Sequence, residues 1–179
     1  HGKASGHYKI ADFAVDSYSR IQYGFQEFDR VLGGGVVPGS LVLIGGEPGI
    51  GKSTLMLQAA ELLSGFGTVL YVSGEESGSQ IKMRSERMQV TGKNIEFLGE
   101  TELEGILSVI DEINPLFLVV DSIQTCHTGS IEKAPGTVTQ IKEVTHKLLE
   151  IAKTRNIATF IIGHVTKDGM IAGPKILEH

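Results

Sequence analysis

The segment that most restricts what this chain can fold into is Gly46-Glu47-Pro48-Gly49-Ile50-Gly51-Lys52-Ser53-Thr54. It follows the short apolar run Leu41–Ile44 and leads into Ser53–Ser64, which has helical character and stops at Gly65. The spacing is G-x-x-x-x-G-K-[ST]. Strand, glycine-rich turn and helix in that order let backbone N–H groups turn inward around phosphate oxygens. The helix then presents its positive N-terminal end to the same anion. Lys52 is expected to reach the β- and γ-phosphates, and the Ser53 hydroxyl to hold Mg2+.

The rest of the chain alternates in the same way. Thr68–Val72, Ile95–Leu98, Leu116–Val120 and Ile157–Ile162 read as strands. Ser77–Met88, Glu102–Ile113 (with Pro115 just beyond it) and Thr137–Arg155 read as helices. In the last of these, Val138, Ile141, Val144, Leu148 and Ala152 keep the three-to-four spacing of a buried stripe. Gln124–Gly136 reads as a long loop. The apolar runs are continuous rather than alternating, as in strands buried on both faces. The predicted fold is therefore α/β: a mostly parallel, twisted sheet with helices on both faces. The 179 residues suit one domain, expected over 8–179, with residues 1–7 a tail or cloning remnant. In such sheets ligands bind beyond the carboxyl ends of the strands, so the residues after each strand carry the chemistry.

Leu116–Val120 ends in Asp121-Ser122, which places Asp121 to approach Mg2+, through water. Alone, Asp121 would read as an ordinary strand-end carboxylate; paired with the phosphate loop it reads as a metal residue. Ser73-Gly74-Glu75-Glu76-Ser77 follows the strand Thr68–Val72. One glutamate there suits a general base that orients water on the γ-phosphate, with Glu75 favoured over Glu76. The other reading is a helix start, where acidic residues complement the dipole. His164 follows the last strand and either hydrogen-bonds the γ-phosphate and relays its presence onward, or is satisfied locally. Lys52, Glu75, Glu76 and His164 are thus the candidate catalytic residues.

Composition excludes several classes. One cysteine, Cys126, leaves no internal disulfide and no multi-cysteine zinc site, and His127 beside it adds too few ligands. The net charge of −5 argues against a broadly basic nucleic-acid coat while leaving room for a basic loop. The longest apolar runs are strand-sized and the start, His1–Ile10, is polar, so neither a membrane span nor a signal peptide is expected. A cytoplasmic location is expected.

Together these segments resemble the RecA-like ATPases, and within them the bacterial RadA (Sms) DNA-repair family. The resemblance runs from about Arg20 to His179. It is carried by Phe28-Asp29-Arg30-Val31-Leu32-Gly33-Gly34-Gly35, the loop Gly45–Thr54, Tyr71–Ser77 with Gln80-Ile81-Lys82, and Val120–Thr125. Ala134–Val138, Gly163–Lys175 and Leu177-Glu178-His179 also match, and Gly163–Lys175 separates this family from the KaiC-like and DnaB-like branches. The resemblance implies an ATP- and Mg2+-dependent motor on single-stranded DNA, acting in homologous recombination and branch migration as a homo-oligomer, usually a hexameric ring. It implies DNA-facing loops at 124–136 and 166–175, with Lys133, Lys167 and Lys175 as contacts; from the residues alone these are solvated loop lysines.

The family's four-cysteine zinc finger, its Lys-Asn-Arg-Phe-Gly motif and its Lon-protease-like domain are not among these 179 residues. The chain therefore reads as an isolated or truncated ATPase core with weak turnover of its own, and Leu177-Glu178-His179 as native sequence or the start of a tag. A GTPase would need Asn-Lys-x-Asp, which only Thr166-Lys167-Asp168 approaches. A small-molecule kinase would usually carry an arginine-rich lid, and Arg20, Arg30, Arg84, Arg87 and Arg155 do not cluster as one. A KaiC-like signalling ATPase and a nucleotide-gated binding module without efficient turnover remain the alternatives.

Overall fold

A computed structural model describes residues 36–46, 50–164 and 177–178. Its strands are β1 (Leu41–Gly46), β2 (Val69–Ser73), β3 (Ile95–Leu98), β4 (Phe117–Asp121), β5 (Ala158–His164) and β6 (Leu177–Glu178). Its helices are α1 (Ile50–Ser64), α2 (Gly78–Arg87), α3 (Leu103–Ile113) and α4 (Val138–Arg155). The strands form one sheet in the order β3-β2-β4-β5-β1-β6, and every pairing is parallel. The expected α/β architecture is the one observed.

Side chains of successive strand residues point to opposite faces, so each strand feeds two cores. On one face Val42, Ile44, Val69, Tyr71, Phe117, Val119 and Phe160 pack against Met56, Leu57, Ala60 and Leu63 of α1 and Ile81 of α2. On the other, Leu43, Leu70, Val72, Leu118, Val120 and Ile161 pack against Ile106 and Ile110 of α3 and Ile141, Val144 and Leu148 of α4. Burial on both sides is why these strands read as unbroken apolar runs.

Local signals set the helix ends. Ser77 and Gln80 form a reciprocal capping box at the start of α2. Thr137 caps α4, and Asn114 and Asn156 close α3 and α4 in the left-handed conformation. Most boundaries lie within one or two residues of the sequence expectation, β5 running on to His164 rather than stopping at Ile162, and two segments differ more. Helix α1 begins at Ile50, not Ser53. The segment Gln124–Gly136 is not wholly a loop: Ile123–Thr125 is a single 3-10 turn, anchored by fully buried Ile123 and followed by buried Cys126. Leu177–Glu178 pairs with Ile44–Gly45 at the far side of β1.

The order of strands matters more than their number. Strand β5 lies between β1, which leads into the phosphate loop, and β4, which ends in Asp121. Registers pair Gly46 with His164, Ser73 with Asp121 and Asp121 with Ile162. Ser73, Asp121, His164 and Gly46 therefore end four neighbouring strands at the same edge of the sheet.

Candidate functional site

The first turn of α1 brings Ser53 over the end of β4. Ser53 Oγ donates to Asp121 Oδ2 at 2.6 Å, across 68 residues of sequence, and Asp121 is 1% exposed. The other carboxylate oxygen, Oδ1, is buried and has no hydrogen-bond partner. Burial pushes the Asp121 carboxyl above its ordinary value; the Ser53 hydrogen bond opposes this and the Glu75 charge adds to it. A hydroxyl oxygen beside an unsatisfied buried carboxylate oxygen is a hard-oxygen donor set that suits Mg2+. The Asp121–Ser122 peptide is cis.

One strand over, Ser73 ends β2 and its Oγ accepts from the N–H groups of Glu75 and Glu76, at 3.3 and 3.1 Å. This tight turn aims the two glutamates apart. Glu75 Oε1 accepts from Ser122 Oγ at 2.7 Å and lies 2.6 Å from His164 Nε2. A carboxylate only accepts, so that ring nitrogen carries the hydrogen. Partial burial would raise the Glu75 carboxyl. The hydrogen bonds from Ser122 and His164, with the charges of His164 and Lys52, outweigh it and hold the group below its ordinary value. Both of these hydrogen bonds fall on Oε1.

Glu76 faces α2 instead. Arg84 Nη2 is 2.9 Å from Glu76 Oε1, an ion pair by distance, although Nη2 makes no well-aligned hydrogen bond. The structure thus brings Glu75, His164, Ser122, Asp121 and Ser53 into one cluster, with Lys52 near enough to act on Glu75, and turns Glu76 out of it.

Of the phosphate loop, Gly46 ends β1, and Ile50, Gly51, Lys52, Ser53 and Thr54 lie in the first turns of α1. Glu47, Pro48 and Gly49 lie outside the described residues, as does all of 166–175, Lys167 and Lys175 included. The other expected DNA-facing segment is well pinned. Buried Gln140 accepts from Thr128 N–H at 2.9 Å and donates to the carbonyls of Thr128, Ile131 and Lys133 at 3.2, 3.2 and 2.7 Å. The Lys133 side chain is exposed at the end of this staple. Among the described residues no group of three or more His, Cys, Asp and Glu could hold a metal, and no helix is long and apolar enough to cross a membrane.

Sequence reasoning missed Ser122, Gln124 and Arg84. Ser122 and Gln124 adjoin a recognised aspartate, and their types offered the only hint; the partners they find are 47 and 40 residues away.

A parallel sheet with a Gly-Lys-Ser helix start against a strand-end aspartate, and one strand between the two, defines a P-loop nucleotide-binding ATPase fold of the RecA-like kind. The AAA domain family model matches residues 15–170, and the chain belongs to that family. Among curated proteins it is similar to the DNA repair protein RadA of Streptococcus pyogenes serotype M6 (54% identical over 178 residues, 99% of this chain and 39% of that protein). It is also similar to the proteins of that name from Bacillus subtilis strain 168 (56% over 171 residues, 95% and 37%) and Listeria monocytogenes (51% over 179 residues, 99% and 39%). The chain thus spans about two fifths of the length of these relatives.

Proposed function

We propose that this chain is the ATP-binding and ATP-hydrolysing core of a RadA-type DNA repair motor that acts on single-stranded DNA in the cytoplasm. The observation that carries the reading is the Glu75 cluster beside the Ser53–Asp121 pair. It supplies a partly desolvated, ionised carboxylate held through Oε1, so that Oε2 would accept a hydrogen bond from water. The loop and Lys52 would hold the phosphates, and the water on Glu75 Oε2 would attack the γ-phosphorus. Its proton passes to Glu75 as the bond to the β-phosphate oxygen breaks and ADP leaves. Mg2+, held by Ser53 and by Asp121 through water, would neutralise charge on the β- and γ-phosphates. His164, hydrogen-bonded to Glu75, suits a group that reports the γ-phosphate to the chain beyond β5.

The DNA role rests on the relatives' name and on the family resemblance. Lys133, Lys167 and Lys175 remain its proposed contacts, in a ring of identical subunits. Phosphate release measured with ATP and with GTP, with and without single-stranded DNA, tests the reading. ATP-selective release abolished by Glu75→Gln supports it; no release from either nucleotide in a folded protein refutes it.

A further inference from the structure

Strand β4 stops at Asp121, opposite Ile162, but β5 continues two residues to His164. On that side, among the described residues, the main chain of His164 has no strand beside it. The side chain of Gln124 takes the place. Its Nε2 donates to the His164 carbonyl at 3.0 Å, and its Oε1 accepts from the His164 N–H at 3.1 Å. A carboxamide offers one acceptor and a donor side by side, as a peptide group does, so the ladder is carried on by a side chain.

Gln124 is itself fixed. It sits in the 3-10 turn, whose Thr125 N–H and Oγ1 both bond the Ser122 carbonyl, at 3.2 and 2.8 Å. One short stretch, 121–124, therefore supplies the candidate metal carboxylate, the Ser122 hydroxyl on Glu75, and the amide that holds the His164 backbone. With that backbone fixed, the imidazole reaches Glu75 Oε1. We propose that Gln124 is a positioning residue for the hydrolytic step: by gripping the main chain of His164 it fixes the second of the two hydrogen bonds that orient Glu75. This rests on reading Glu75 as the base.

Two substitutions test it. Gln124→Met keeps the reach and loses both hydrogen bonds. Gln124→Glu keeps an acceptor, loses the donor and sets a carboxylate against the His164 carbonyl. Each should lower kcat for ATP hydrolysis about 10–100-fold, the cost of a small misplacement of a reacting group, while KM and the affinity for a non-hydrolysable ATP analogue stay within about twofold. Because Gln124 acts through Glu75, adding Gln124→Met to Glu75→Gln should slow the enzyme no further.

A second readout needs no turnover. In ring proton–nitrogen spectra, assigned with His164→Ala, the unaltered chain should show His164 with its hydrogen on Nε2, and Gln124→Met should move that signal toward the values of an unrestrained imidazole. An unchanged ring signal overturns the proposal, as does a loss confined to KM. If the unaltered chain releases no phosphate, the ATPase reading fails, and the ring spectra alone decide the positioning role of Gln124.

Discussion

Asp121 is a carboxylate held where ionisation is costly. Its folded-state value lies above the ordinary 3.8, chiefly from burial. The sign follows directly: stability is fullest below the unfolded value and is lost as pH rises through the folded one, so at neutral pH the ionised group is a liability. Asp121→Asn keeps an acceptor for Ser53 and removes the charge. Without nucleotide or Mg2+ at pH 7 it should melt about 2–4 °C higher, the change that ~1 kcal/mol produces in a chain of this size. With Mg2+ and ATP analogue the order should reverse, because only the aspartate gains the metal. A thermal scan with and without Mg2+ checks both halves. Glu75 has the opposite sign: its stabilising bonds are present above its unfolded value and lost as pH falls through the folded one. Glu75→Gln should still bind ATP yet hydrolyse it about 10²-fold or more slowly. Glu76→Gln should keep most of its turnover but lower the melting temperature, because Arg84, only 13% exposed, loses its carboxylate partner. Single-turnover rates in the two variants separate them, and an inverted order would move the base to Glu76.

Among the elements, α4 and the turn after β4 do more than fill space. Gln140 holds Thr128, Ile131 and Lys133 by their backbones, and Thr128 is almost wholly buried. Gln140→Leu fits the space but strands the Thr128 groups, and should cost about 2–4 kcal/mol, read as a lower urea midpoint. This staple was not legible in the sequence. Neither was the Gln124 grip, nor the partner of Ser122. The last two depend on which strands are neighbours, and local spacing carries no record of that order; the staple spans only 7–12 residues, but it needs the loop to fold back on the start of α4. What could be read was local. Apolar runs marked the strands because both faces are buried, and the Gly-Lys-Ser helix start and the strand-end Asp121 were recognisable from their immediate flanks. Glu75 and Glu76 were legible only as a pair. Neighbouring residues leaving a strand point different ways, and the sequence alone does not say which one meets His164.

At the scale of the whole molecule, this chain spans about two fifths of its curated relatives. Phosphoryl transfer often draws on a cation from a neighbouring subunit, worth about 10³–10⁵ in rate. The Lys-Asn-Arg-Phe-Gly motif expected from the family resemblance is not among these residues. The 179-residue chain should therefore hydrolyse ATP slowly and respond little to DNA, while a chain of the relatives' full length should assemble and turn over faster. Light scattering and phosphate release at equal concentration compare them; equal rates would place every catalytic cation within the shorter chain.

The two cores lie on opposite faces of one sheet: Ser53 of α1 ties one to Asp121, and Ile123 beneath the Gln124 turn belongs to the other. Away from that turn the sheet works as an insulator. Leu63→Ala beneath α1 and Leu148→Ala beneath α4 share no cluster, so their costs, about 2–5 kcal/mol each, should add to within ~0.5 kcal/mol in a double variant. Repacking of the α3–α4 face that leaves Ile123 in place becomes a way to raise heat tolerance while leaving the affinity for nucleotide where it was.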